Sequence, residues 1–353
     1  MLTKKRYSPK EMIVWTRKET AIFLLYPIII VFLYDVLGFT FLNVPWTPIA
    51  LVGTAVAFIV GFQNNAAYGR IWEARKIWGG IVNTSRTWGM KVKDMVTNEY
   101  TDSPLTQEEL NHEIKTLVFR HIAWLTTLRH AMRTRKPWEM FEKFSTNREW
   151  SRLLCIPERN IEVETDVKPY LKPSEIEYIM SKNNKSAALL YLQSSHIRNL
   201  KEQGLIWEFS FLELENVLQE LFTLQGKSER IKNFPYPRQY ATLSFDFIWI
   251  FLLLIPLGLV PLFDGYAENL AESFPIIHSY FIWIAVPFCA ALSWIFHTMM
   301  RIGTVGENPF EGSANDVPIS TIARGIEIDL RQLLDEDIES IPDQFPELYD
   351  IQM

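Results

Sequence analysis

Thr54, Phe58 and Phe62 recur at four-residue intervals in one apolar stretch, and Gly53, Ala57 and Gly61 do the same one position earlier. On a helix that spacing puts each trio on its own face. Small residues let helix backbones approach closely inside a bilayer. Several copies packed through the small face would turn Thr54, Phe58 and Phe62 toward a common axis. The result is a narrow, mainly aromatic constriction about 12 Å long at ~1.5 Å rise per residue. Such a site makes no bonds: water is unstable between apolar rings, so ions lose hydration there and the ring gates by dewetting. Ordinary helix packing in membranes uses the same residue types, and the spacing alone leaves both uses open.

Covalent chemistry has no comparable pattern. The six His residues (His112, His121, His130, His196, His278 and His297) include no pair four apart with a carboxylate beside it, so no metal site is expected. Cys155 and Cys289 form neither a metal-spaced pair nor a disulfide framework. There is no phosphate loop, nucleotide fingerprint or nucleophile elbow, and neither an enzyme nor a cofactor is expected. A net charge of −6 argues against a nucleic-acid partner.

The elements that must carry the aromatic trio are apolar spans. Residues 21–41, 46–62, 245–263 and 275–296 are each apolar enough to be read as crossing a ~30 Å hydrocarbon layer. No Lys or Arg occurs between Ala21 and Gly69 or between Phe245 and Met300. Lys4, Lys5, Arg6, Lys10, Arg17 and Lys18 precede the first span, Arg70, Arg75 and Lys76 follow the second, Arg238 precedes the third and Arg301 follows the fourth. Basic flanks stay inside. Both termini and the long middle segment are therefore expected in the cytoplasm, with the chain in the cell (inner) membrane. No cleavable signal peptide is visible in the basic, polar start of the chain.

The middle segment reads as helical. Leu110, Ile114, Leu117, His121, Trp124 and Leu128 recur at helical spacing, as do Leu189, Leu192, His196, Ile197 and Leu200. The expected organisation is all-α: a cytosolic segment 1–20, two spans in 21–69, a helical cytosolic domain 70–240, two spans in 241–300, and a cytosolic helix and tail in 301–353. The acidic tail after Asp335 reads as an extended or partly disordered arm.

Residues 61–79, GFQNNAAYGRIWEARKIWG, resemble the signature of the bestrophin ion-channel family, bacterial members included. The matching elements are the Gly–Phe pair, Asn64 and Asn65, Ala67–Tyr68, Arg70 and Trp72–Glu73. A second resemblance lies in residues 306–318, GENPFEGSANDVP, followed by an amphipathic stretch with Ile326, Ile328 and Leu330. The resemblance implies a homopentamer in the lipid bilayer around one central pore that passes small monovalent ions. Thr54, Phe58 and Phe62 match the positions of a transmembrane neck, Thr54 in place of the usual large aliphatic residue. Leu212 is the best match to a cytosolic aperture, with Phe209 and Phe211 as alternatives.

Animal members of the family bind calcium through an acidic run after the Asn-Pro-Phe motif. Here that place holds only Glu311 and Asp316, a thin set for an ion that takes ~6–8 oxygens. Asp316 reads instead as the N-cap of a helix entered through Pro318, and calcium activation is not expected. Animal members pass chloride and a bacterial relative passes monovalent cations. Glu208, Glu213 and Glu215 near the aperture tip the expectation toward cations if they face the lumen; a solvated helix face is their alternative use. Arg70 and Glu73 are either a charged ring at the pore mouth or an i,i+3 ion pair. Asp35 and Asp246, in or beside spans, either line an ion path or hydrogen-bond locally. A secondary transporter would be expected to show matched broken spans, which are not seen, and a membrane scaffold is the remaining rival.

Overall fold

A computed structural model describes residues 1–154, 156–268 and 280–353. Cys155, His278 and the first five residues of the expected fourth span lie outside the described residues. Helices joined by loops make up most of the described chain, and four of them are long and apolar enough to cross a membrane.

Helix α1 (Pro9–Val31) opens on a capping box in which Ser8 and Glu11 each satisfy the other's backbone N–H, with Pro9 in the first turn. It tightens into a π-helical turn, Phe32–Val36, that ends at Gly38 in the left-handed region. The first span thus stops short of the expected residue 41. Helix α2 (Trp46–Met95) runs 50 residues without a break, so the boundary expected at residue 70 falls inside a helix. At ~1.5 Å per residue it is about 75 Å long, more than twice the hydrocarbon thickness. Beyond it come α3 (Gln107–Arg133), the short α4 (Ser145–Leu153), α5 (Pro157–Asn160), α6 (Val163–Val167) and α7 (Pro173–Met180), then α8 (Lys185–Glu202) and α9 (Glu208–Asn233). Two more spans, α10 (Arg238–Glu268) and α11 (Ala285–Gly306), precede α12 (Ile319–Leu333).

Two cores share α2. In the span region Ile49, Val56 and Val60 pack against Ile248, Phe251 and Ile255 of α10 and Cys289 and Met300 of α11. In the extramembrane domain Ala74, Trp78, Ile81, Trp88 and Val92 join Leu117, Trp124 and Leu128 of α3, Ile197 of α8, Leu221 of α9 and Ile326 of α12. The helical spacing read along α3 is the buried face of that helix. Close approach uses glycine: a Cβ on Gly89 would sit 2.5 Å from Leu330, and one on Gly53 2.7 Å from Phe251. Gly53 therefore serves a contact within the subunit. Ala57 and Gly61 are exposed, and nothing lies within 4 Å of a Cβ built on Gly61. The expected small-residue face is split: Gly53 is covered within the chain, and Ala57 and Gly61 are not.

The tail is extended but not loose. The Phe345 ring lies under the guanidinium groups of Arg129 and Arg324, and Ile351 and Met353 pack with Leu154, Ile156 and Leu2.

Candidate functional site

The buried side of α2 keeps one phase along its whole length. Ile49, Val56, Val60, Gln63, Ala67, Ala74, Trp78, Ile81, Ser85 and Val92 are all buried, and at 100° per residue they fall within a narrow sector. Thr54, Phe58 and Phe62 stand on the opposite side. Phe58 is 67 % exposed and Phe62 58 %, their rings meeting edge to face with centroids 4.5 Å apart. The Thr54 hydroxyl donates to the Ala50 carbonyl at 2.9 Å, which withdraws its one proton from that surface. The structure brings the trio together on one exposed stripe, and Asn65 and Trp72 continue it.

The two sequence motifs meet each other, which no spacing could reveal. Gln63 Nε2 donates to Glu307 Oε1 at 2.8 Å, and Arg70 Nε donates to the Glu307 carbonyl at 2.6 Å. Arg70 Nη2 donates to the carbonyls of Ile231 and Phe234 at 3.0 and 2.9 Å, satisfying acceptors at the end of α9. Glu73 pairs with Arg230 at 2.5 Å. Arg70 and Glu73 therefore form no ion pair with each other among the described residues; both tie α2 to its neighbours. Asn64 donates to the carbonyls of Val60 and Met299, bridging α2 to α11, while Asn65 is exposed.

Past α11 the chain turns at Phe310, buried with φ +76°. Asp316 holds that turn by accepting from the backbone N–H groups of Phe310, Gly312 and Val317 at 2.7–2.9 Å and from Arg133 at 3.3 Å. It is not the N-cap of α12, which begins after Pro318 with no side-chain cap. Loop amides and a buried guanidinium outcompete the helix end for this carboxylate. Glu311 accepts from the N–H groups of Phe141 and Met140. Burial, reinforced by the charges of Glu139 and Asp316, pushes its carboxyl up to about 8 against the pull of those amides.

At the opposite end of the extramembrane domain Leu212 is exposed, with Phe209 and Trp207 beside it, whereas Phe211 packs partly into the core. The neighbouring acids are engaged. Glu208 pairs with Lys201 at 2.7 Å, Glu213 with Lys91 at 2.6 Å, and Glu215 accepts from Ser194 at 2.7 Å. Asp35 and Asp246 are exposed, with no partner among the described residues; the hydroxyl of Tyr34 goes to Asp264 instead. Among the described residues no three His, Cys, Asp or Glu side chains gather where a metal could be held.

Arg301 was legible only as a basic flank. It is wholly buried and donates to the Trp15 carbonyl, Glu19, Thr146 and Asn147, clamping α1 and α11 to the extramembrane domain.

Residues 11–332 match the model of the family described as bacterial/fungal bestrophin protein. Among characterised sequences, the chain is 25 % identical over 298 residues to the voltage-dependent anion channel-forming protein RSc3414 of Ralstonia nicotianae, covering 83 % of this chain and 79 % of that one. It is 23 % identical over 300 residues to the voltage-dependent anion channel-forming protein YneE of Escherichia coli, covering 84 % and 80 %. Its fold matches a bacterial bestrophin homologue from Klebsiella pneumoniae with a TM-score of 0.67 at 21 % identity, over 90 % of this chain and 98 % of that structure. The chain is a membrane protein of the bestrophin family, in its bacterial and fungal branch.

Proposed function

We propose that this protein is the subunit of a pentameric ion channel whose neck is made by Thr54, Phe58 and Phe62 and whose far aperture is made at Leu212. The observation that carries this reading is the stripe on α2. Two large aromatic side chains stand side by side on the face turned away from both cores, on a helix long enough to run from the membrane through the whole extramembrane domain. Five such helices around an axis put one Phe ring above another, a barrier that excludes water unless it widens. The extramembrane domain and both chain ends lie in the cytoplasm, on the basic side of the spans, and the membrane is the cell's inner one.

The permeant species are small monovalent ions, anions before cations. The glutamates that favoured cations have partners: Glu208 and Glu213 are neutralised by lysines. The relatives named above as anion channel-forming support the same choice.

The test is a current measurement on the purified full-length protein in planar bilayers, with a potassium chloride gradient across the membrane. Ion currents that do not saturate at low rates and reverse toward the chloride potential are expected. Saturating flux coupled to a second solute would identify a transporter, and no flux at all a scaffold.

A further inference from the structure

We propose that Lys76 forms a ring of five ammonium groups in the vestibule below the neck and is the charge that favours anions. This rests on the channel reading above and deepens it.

The placement follows from α2. Eighteen residues separate Phe58 from Lys76, which at ~3.6 residues per turn is five whole turns, so the two share a face. The helix is unbroken between them, and the burial pattern shows that its phase does not slip: Ala74, Ile77 and Trp78 flank Lys76 on the core side just as Val56 and Val60 flank Phe58. Lys76 is exposed, and no carboxylate lies within ion-pairing distance of it among the described residues. Lys227 of α9 is exposed at about the same level, whereas two other charges of α2 here are engaged. Glu73 is held by Arg230, and Arg70 is spent on backbone carbonyls. Arg75 is also exposed but stands ~100° round the helix.

The level matters as much as the direction. Lys76 lies ~21 Å from Phe62 along the axis, at ~1.5 Å per residue. Helix α9 runs antiparallel beside α2, since its end at Arg230 meets Glu73 and its start at Glu213 meets Lys91. The Leu212 end is therefore at the level of Lys91, and Lys76 sits midway between neck and aperture. Asp94 is on the same line but ~27 Å further out, well beyond a screening length of ~8 Å at physiological salt. A ring of one sign inside a walled vestibule raises the local concentration of counter-ions, the device of anion-selective pores.

The experiment records reversal potentials of wild-type, Lys76→Gln and Lys76→Glu channels in a potassium chloride gradient. It is run near ~10 mM, where charges act over ~30 Å, and repeated near ~1 M, where they act over ~3 Å. Lys76→Glu should move the chloride-to-potassium permeability ratio about tenfold toward potassium at low salt, the lower end of what focused charge does to local ion concentration. Lys76→Gln should give part of that shift, and both shifts should shrink at high salt. Lys76→Gln also serves as the reading if five new acids prevent assembly. Lys143→Glu, an exposed lysine in the extramembrane domain away from α2, is the control.

Unchanged reversal potentials in both Lys76 variants, with Phe62→Ala still altering conductance, would overturn this proposal and leave the channel standing. An equal shift from Lys143→Glu would also overturn it, because the effect would then be general surface charge. If the wild-type protein carries no current, the channel reading falls and this proposal with it.

Discussion

In the proposed channel, the Phe62 ring sets how much room an ion has. The side chain touches Phe58 edge-on and is otherwise exposed, so truncation removes an aromatic contact worth about 0.5–1.5 kcal/mol and leaves the subunit core intact. Phe62→Ala should widen the ring and raise single-channel conductance or open probability, with Leu33→Ala in the first span as the control. If pentamers of Phe58→Ala and of Phe62→Ala both conduct like the wild type, α2 does not line the pore. Glu311 makes a different prediction. Its carboxyl is raised to about 8 by burial, so the folded protein holds a proton there above pH 4.5, where the unfolded chain has released it. The stability tied to this proton is full below about pH 4.5 and is lost as pH rises to about 8, a matter of a few kcal/mol at most. Glu311→Gln cannot ionise and keeps an acceptor for one backbone amide. Its melting temperature should gain on that of the wild type between pH 5 and pH 9. A constant difference across that range would show that the Glu311 carboxyl does not titrate there.

Elements were legible where one solvent dictates composition. The spans stand out because hydrocarbon tolerates few charges, and α3 because one of its faces must be apolar. The continuity of α2 was hidden, since Gln63, Asn64 and Asn65 look like the end of a span. They do not end it because the amides of Gln63 and Asn64 are used sideways, by Glu307 and the Met299 carbonyl, and because no proline interrupts residues 49–95. The small-residue face was half legible. Spacing marks Gly53, Ala57 and Gly61 as equivalent, and only the position of Phe251 separates the first from the others. Asp316 misled for a similar reason: an Asp two positions before a helix-opening proline fits a cap locally, while Arg133 lies 183 positions away in sequence. The acidic tail looked loose by composition, yet its one Phe finds two guanidinium groups. In each case the missing term is a long-range partner, invisible to periodicity.

On the scale of the whole molecule, the subunit is incomplete by itself. Lipid can cover the apolar outside of α1 and α10, but not the far end of the extramembrane domain. There Tyr100 stacks on Trp207, Trp207 meets Phe209 at 4.8 Å, and Leu212 is half exposed beside them. The α2 stripe of Phe58, Phe62 and Trp72 is equally uncovered by its own chain. Contiguous apolar surface in water calls for a partner. A cyclic arrangement supplies one to both regions at once, because every subunit offers the same surfaces to its neighbours and closure leaves none over. In the proposed pentamer, five-fold closure would also bring five copies of α2 round one axis, as the neck and the Lys76 ring both require. Native mass spectrometry in mild detergent should therefore give a mass five times the 41.3 kDa subunit. That mass should persist in the Phe62→Ala and Lys76→Gln proteins, whose substitutions spare the subunit core. A stable monomer or dimer would remove the axis on which both rings depend.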